Sequence, residues 1–309
     1  MKLKNKNILI IGGTGFIGFN LAKNCLKRGL NVFSLSTSKP KRLKKLNKVK
    51  YIIGNIKNFN TLKNVLKNIE FDFIVNCGGN VNHKKNKDRE LYDSHYRGCV
   101  NLYNLFKEKN IQSFIQIGSS SEYGDSEVPH KENYLCKPKE AYGRYKLRST
   151  NFLLSQYKKN KFPIVILRFY QVYGPYQDFN RFISQLFKAS IKKEKFLTST
   201  GEQRRDLLFI DDAIESIIKA ILSNKSNGEI INIGYGMAIK LKTVMEMVKE
   251  KNKYLDPDYS RIKLRADEQM SSYPNILKAK KILNWVPKTS IKKGIDLTNK
   301  YYKKLLKKK

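Results

Sequence analysis

Three side chains in the middle of the chain have the types needed for proton transfer beside a hydride acceptor. Ser119 follows the apolar segment FIQIG and opens a serine run, and Tyr142 and Lys146 lie four residues apart in EAYGRYK. Four residues is about one helical turn, so phenol and ammonium share a face of a helix beginning near Glu140. The segment before them, Phe114 to Ile117, reads as a buried strand that opens into a turn carrying Ser119, Ser120 and Ser121. A hydroxyl at a strand end and a phenol–ammonium pair on the next helix form a compact acid/base group.

Such a group needs a cofactor, and the start of the chain offers a place for one. Asn7–Ile11 is an apolar strand followed at once by GGTGFIG, with Gly12, Gly15 and Gly18 at the spacing of a strand–turn–helix dinucleotide loop. The helix from Phe16 to Arg28 then points its first amide groups at a pyrophosphate. The next strand, Asn31–Leu35, ends at Ser36, where an NAD site usually has a carboxylate for the ribose hydroxyls. Here Ser36, Thr37 and Ser38 precede Lys39 and Arg42, a set that favours a 2′-phosphate and hence NADP, with NAD the other possibility. Strands at Val49–Ile53, Phe71–Asn76 and Pro163–Arg168 alternate with helices at Phe59–Ile69 and Leu91–Lys109. That order specifies an α/β fold with a doubly wound parallel sheet.

Beyond Arg168 the pattern loosens. A helix over Arg181–Ile191 is followed by one over Asp211–Leu222, capped by Asp211 or Asp212, and by a strand at Ile230–Ile233. The remainder reads as helices around a short strand at Arg261–Leu264, with Trp285 as core anchor. The expected organisation is a dinucleotide-binding domain over residues 1–170, rejoined by the chain around 207–235, and a smaller C-terminal α/β substrate lobe over 171–309.

The net charge is +36, from 62 Lys and Arg against 26 Asp and Glu. The lysines are spread along the whole chain beside abundant Asn and Ile, the pattern of an AT-rich coding bias. They argue for a solvated surface that attracts an anionic small substrate, with no dedicated nucleic-acid role. No apolar run approaches the roughly 20 residues of a membrane span. The N-terminus passes from charge directly into a strand, unlike a signal peptide. The four cysteines lack metal or disulfide spacing, so no metal is expected and a reducing cytoplasm fits. His83 and His130 read as loop residues, with His83 also a potential substrate contact.

Taken together, GGTGFIG, the serine four residues before Tyr123-Gly124, and Tyr-x-x-x-Lys resemble the extended short-chain dehydrogenase/reductases of Rossmann-type fold. RFYQVYGP, GEQRRDLLFIDD and KAKKILNWVPKTS resemble the branch acting on nucleotide sugars. The resemblance implies Tyr142 as general acid/base, Lys146 as its partner and ribose ligand, and Ser119 as hydrogen-bond donor to the reacting sugar oxygen. A free phenol titrates near 10, so a neighbouring ammonium and an oxidised nicotinamide are needed to favour the phenolate. It further implies cofactor contacts from Gly12, Gly15, Phe16, Ile17 and Gly18, from Ser36, Lys39 and Arg42, from Asn55 and Ile56, and from Cys77, Gly78 and Gly79. Asn55 stands where the family has aspartate, and His95 where asparagine is common. Substrate contacts fall to Ser120, Gln171 (asparagine in the family), Arg205 and Arg265, the arginines matching diphosphate oxygens.

The family's 4,6-dehydratases carry Asp-Glu directly after the Ser/Thr, where this chain has Ser120 and Ser121, so dehydration is disfavoured. SSSEYG is closer to nucleotide-4-keto-sugar reductases. The expected activity is NADPH reduction of a nucleoside-diphosphate 4-keto-6-deoxy sugar, for surface polysaccharide. An epimerase retaining NAD, or a non-catalytic binding protein on the same fold, remain alternatives. A homodimer is common in the family.

Overall fold

The computed structural model describes residues 3–79, 88–259, 261–264 and 268–306. Its centre is a seven-stranded parallel sheet. Strands β1 (Asn7–Ile11), β2 (Asn31–Ser36), β3 (Val49–Ile53), β4 (Phe73–Asn76), β5 (Ser113–Ser119), β6 (Ile164–Phe169) and β10 (Ile230–Ile233) lie in the order β10-β6-β5-β4-β1-β2-β3. The sequences of β1 and β5 are apolar almost without a break because both faces are covered. Ile8 and Ile10 point into one core, Leu9 and Ile11 into the other. Helices α1 (Phe16–Lys27) and α7 (Ile210–Leu222) bury residues in the first core. Helices α2 (Phe59–Leu66), α4 (Gly98–Phe106) and α5 (Ala141–Asn160) supply Leu62, Leu102 and Leu153 to the second. Strand β1 has β2 on one side and β4 on the other, so the chain changes direction there and leaves a crevice at the carboxyl ends of the strands.

A smaller set of elements follows β6. Strands β7 (Gln171–Tyr173), β9 (Arg204–Phe209), β11 (Ala238–Lys240) and β13 (Ser271–Ser272) form a sheet in which β9 pairs with the other three. A second pair joins β8 (Lys195–Leu197) to β12 (Asp256–Asp258). Helices α6 (Phe182–Lys192), α8 (Leu241–Lys251), α9 (Leu277–Leu283) and α10 (Ile291–Leu306) complete this part. Trp285 is buried as expected, at 2% exposure, and its indole N–H donates to the Asp212 carbonyl at 3.0 Å.

Three sequence expectations are corrected. The helical stretch expected over Leu91–Lys109 starts earlier and is interrupted: α3 (Asp88–Leu91) passes into a π-helical turn at Tyr92–Arg97 before α4. Neither Asp211 nor Asp212 caps α7, whose N-cap is Phe209 without a side-chain bond. Both aspartates sit in the first turn, where negative charge is favourable, and the Asp212 carboxylate accepts the Thr289 amide at 2.8 Å. Arg261–Leu264 forms no strand, because the whole segment is exposed and has no face to bury. Only short β12 and β13 flank it.

Candidate active site

The glycine loop is built so that nothing stands between backbone and ligand. Gly12 has φ +74°, and a Cβ there would lie 3.0 Å from the Gly78 Cα and 3.1 Å from the Cys77 oxygen. A Cβ on Gly18 would lie 2.3 Å from the Gly12 oxygen, so α1 can cross its own loop only with hydrogen at that position. Gly15 is the N-cap of α1, with no side chain capping the helix. The loop opens on a cleft of about 420 Å³ lined by Gly12, Gly15, Ser36, Asn55, Ile56, Cys77, Gly78 and Gly79, all nominated from sequence. Phe16, Ile17 and Gly18, in the first turn of α1, do not line it. Lys39 and Arg42 do not line it and sit exposed on the segment after β2. Sequence reasoning missed Thr14, Lys57, Glu90 and Ser94 in its wall. Thr14 was legible, since it lies inside the glycine motif. Its amide donates to the Ser36 hydroxyl at 3.3 Å, tying the loop to the end of β2. The cradle, with its crowded glycines, fits a dinucleotide pyrophosphate.

At the end of β5, Ser119 is the N-cap of a 3₁₀ turn over Ser120–Glu122. Its hydroxyl oxygen accepts the Ser121 amide at 3.1 Å, while its own amide donates to the Glu122 carboxylate at 2.9 Å. The Ser119 hydroxyl proton therefore has no role in this cap. Lys146, 5% exposed, donates to the Ile117 carbonyl at 2.7 Å, and its ammonium lies 5.9 Å from the centre of the Tyr142 ring. Lys146 thus ties the helix that carries Tyr142 to β5, two residues before Ser119. Burial pushes the Cys77 and Cys99 thiols up to about 12, partly offset by Lys146, which leaves them unsuited to nucleophilic work.

Glu122, whose first oxygen holds the Ser119 amide, is fully buried. Its second oxygen accepts from the Thr150 hydroxyl and from the Arg168 guanidinium, each at 2.9 Å. It joins the end of β5, the middle of α5 and the end of β6 at one point. The Arg168 guanidinium lies 4.5 Å from the centre of the Tyr123 ring, and Tyr123 donates to Asn232 at 2.7 Å. His130, expected as a loop residue, lies outside the helices and strands at an isolated bridge to Pro274; it is buried, stacked on Tyr123 and bonded to the Tyr170 hydroxyl at 2.7 Å.

A second cavity of about 280 Å³ lies beyond the serine turn, lined by Ser120, Ser121, Lys139, Tyr170, Gln171, Arg205 and Glu268 among others. Three of the four expected substrate residues, Ser120, Gln171 and Arg205, therefore meet in one place. Arg205 forms an ion pair with Glu268, so a phosphate arriving there competes with a carboxylate. Arg265 and His83 lie outside the described residues. Among the described residues no helix is long and apolar enough to cross a membrane, and no group of three metal-ligating side chains occurs.

Comparison with known proteins identifies the family. The model of the NAD dependent epimerase/dehydratase family matches residues 8–234. The chain is 26% identical to a UDP-glucuronate 4-epimerase of Thermodesulfobacterium geofontis, covering 94% of both chains. It is 28% identical to an uncharacterized UDP-glucose epimerase of Bacillus subtilis, over 93% of this chain and 95% of that one. Its fold overlays that of the Bacillus cereus UDP-glucuronic acid 4-epimerase, solved with UDP-glucuronic acid and NAD, with a TM-score of 0.87 at 25% identity, covering 97% of this chain and 99% of that one. The chain therefore belongs to the NAD-dependent epimerase/dehydratase family and is an enzyme of the extended short-chain dehydrogenase/reductase type.

Proposed function

We propose that the protein reduces the 4-keto group of a nucleoside-diphosphate 4-keto-6-deoxy sugar with NADPH. The observation that carries this reading is the make-up of the reaction centre. It offers a phenol, a hydroxyl and an ammonium, while the carboxylate of the serine turn, Glu122, is committed to Arg168. This set suits hydride addition at a carbonyl carbon and lacks the acid–base pair for eliminating water.

The dinucleotide, when bound in the glycine cleft, supplies the hydride. The chain's residues do the rest. Ser119 already accepts one hydrogen bond, which leaves its proton to donate to the carbonyl oxygen. Tyr142 delivers a proton to that oxygen as C4 gains the hydride, giving the alcohol. Lys146, anchored on the Ile117 carbonyl, holds positive charge beside the phenol as the proton departs. Ser120, Gln171 and Arg205 hold the substrate, with Arg205 on the diphosphate, and Arg265 is assigned there too. The preference for NADPH rests on the hydroxyls of Ser36 and Thr37 in the cleft where a carboxylate would mark NAD, with Lys39 and Arg42 just beyond. The product would serve surface polysaccharide, made by a homodimer.

A second reading, a 4-epimerase that keeps its NAD and returns the hydride to the other face, is favoured by the similarity to UDP-glucuronate 4-epimerases. Assay of co-purified nicotinamide, then fluorescence titration with NADPH and NADH, separates the two. An exchangeable site preferring NADPH, with stoichiometric oxidation by dTDP-4-keto-6-deoxyglucose, supports the reductase. Retained NAD and interconversion of UDP-glucuronic acid without net oxidation supports the epimerase.

A further inference from the structure

We propose that His95 is a positioning residue for Tyr142, its imidazole fixing the plane of the phenol and so the aim of its hydroxyl. The proposal rests on the assignment of Tyr142 as proton donor. Between α3 and α4 the backbone widens into the π turn at Tyr92–Arg97, a local change that π turns commonly make at working sites. The turn carries His95 indoors, to 4% exposure. Its ring meets the Tyr142 ring edge-to-face, with centroids 5.0 Å apart and planes at 87°. Its carbonyl accepts the Ser149 hydroxyl at 3.0 Å, which fastens the π turn to α5, the helix that carries Tyr142.

The opposite side of the imidazole is shaped to admit it. Gly79, at the end of the cofactor-cleft wall, has φ +132° and no side chain. A Cβ there would lie 2.2 Å from the imidazole Cε1 and 2.6 Å from Nδ1. The ring therefore occupies space that any other residue at position 79 would claim, and it touches the phenol ring as well.

The test compares His95→Ala and His95→Asn, which remove the ring, with His95→Phe, which keeps one. Crystal structures of the variants read the consequence without any substrate. The Tyr142 ring is expected to move by about 1 Å in the Ala and Asn variants, enough to misaim a reacting group, and to stay in place in His95→Phe. With dTDP-4-keto-6-deoxyglucose or UDP-glucuronic acid, kcat is expected to fall roughly ten-fold on loss of the ring contact and to recover in His95→Phe. KM and NADPH affinity should stay within about two-fold. An unmoved Tyr142 in both ring-less variants overturns the proposal, as does a folded His95→Phe that holds Tyr142 yet fails to recover kcat. If the wild type turns over neither sugar, the functional reading falls, and the crystallographic comparison still decides the role of His95.

Discussion

Replacing Arg168 with Met tests the buried joint beneath the reaction centre. Glu122 is fully buried and Arg168 is 2% exposed, so neither charge has water to fall back on. In the variant the carboxylate keeps the Ser119 amide and the Thr150 hydroxyl but loses its cation. Removing one member of a buried pair costs about 3–5 kcal/mol. The lost guanidinium–Tyr123 contact adds about 1 kcal/mol. The expected loss is therefore about 4–6 kcal/mol, a large share of the 5–15 kcal/mol typical of a folded protein. Urea unfolding of both proteins measures it, as a lower midpoint with an unchanged slope. Adding Glu122→Gln removes the stranded charge while keeping an acceptor for the Ser119 amide, and should recover at least about 1 kcal/mol as a coupling energy. A single-variant loss below about 1 kcal/mol, or a double variant whose loss equals the sum of the two singles, would refute the reasoning.

Other substitutions probe the cradle, the chemistry and the pH response. Tyr142→Phe should cut turnover by about 10²–10⁴-fold while fluorescence titration shows NADPH still binding; unchanged turnover would remove Tyr142 from catalysis. Gly18→Ala puts a methyl group 2.3 Å from the Gly12 oxygen. Dinucleotide affinity should weaken roughly ten-fold or more as the loop shifts, and unchanged affinity would show that the loop is not the cradle. Burial lowers His130 to about 4, and raises Asp206 to about 7 against three backbone donors that partly offset it. Between about pH 4 and 6.5 the unfolded chain binds more protons at His130, so that residue's share of stability falls as pH falls. The folded chain binds more at Asp206, so that share rises. Each slope is at most about 1.4 kcal/mol per pH unit, and they oppose. Urea midpoints should therefore show His130→Asn gaining on the wild type as pH falls from 6.5 to 4.5, and Asp206→Asn losing ground; parallel curves would contradict both assignments.

The sheet was legible because a strand buried on two faces is written as an apolar run. Asn7–Ile11 and Ile230–Ile233 have the bounds expected for them. The glycine motif was equally readable, since each glycine answers a backbone approach made within a few residues or at the neighbouring strand end. What escaped depends on distant partners. The π turn has nearly the apolar spacing of an ordinary helix, and the contacts that hold it come from Ser149 and Tyr142, about fifty residues on. Asp212 looked like a cap, but its carboxylate is claimed by Thr289. Glu122 could not be aimed by alternation because the strand ends at Ser119 and a 3₁₀ turn swings the carboxylate inward. Cavity walls made by chain segments far apart, such as Lys57 with Glu90, leave no local pattern to read.

The edge strand β10 has a consequence for how the protein is made. Its register against β6 pairs Ile230 with Ile166 and Ile233 with Phe169. From Phe169 to Ile230 about 60 residues must be translated, which takes roughly 3–12 s at 5–20 residues per second. Through that interval the outer edge of β6 faces solvent or a chaperone with its amides and carbonyls unclaimed. A gene shortened to end after Tyr170 would leave that state permanent. Its product is expected to aggregate through the open strand.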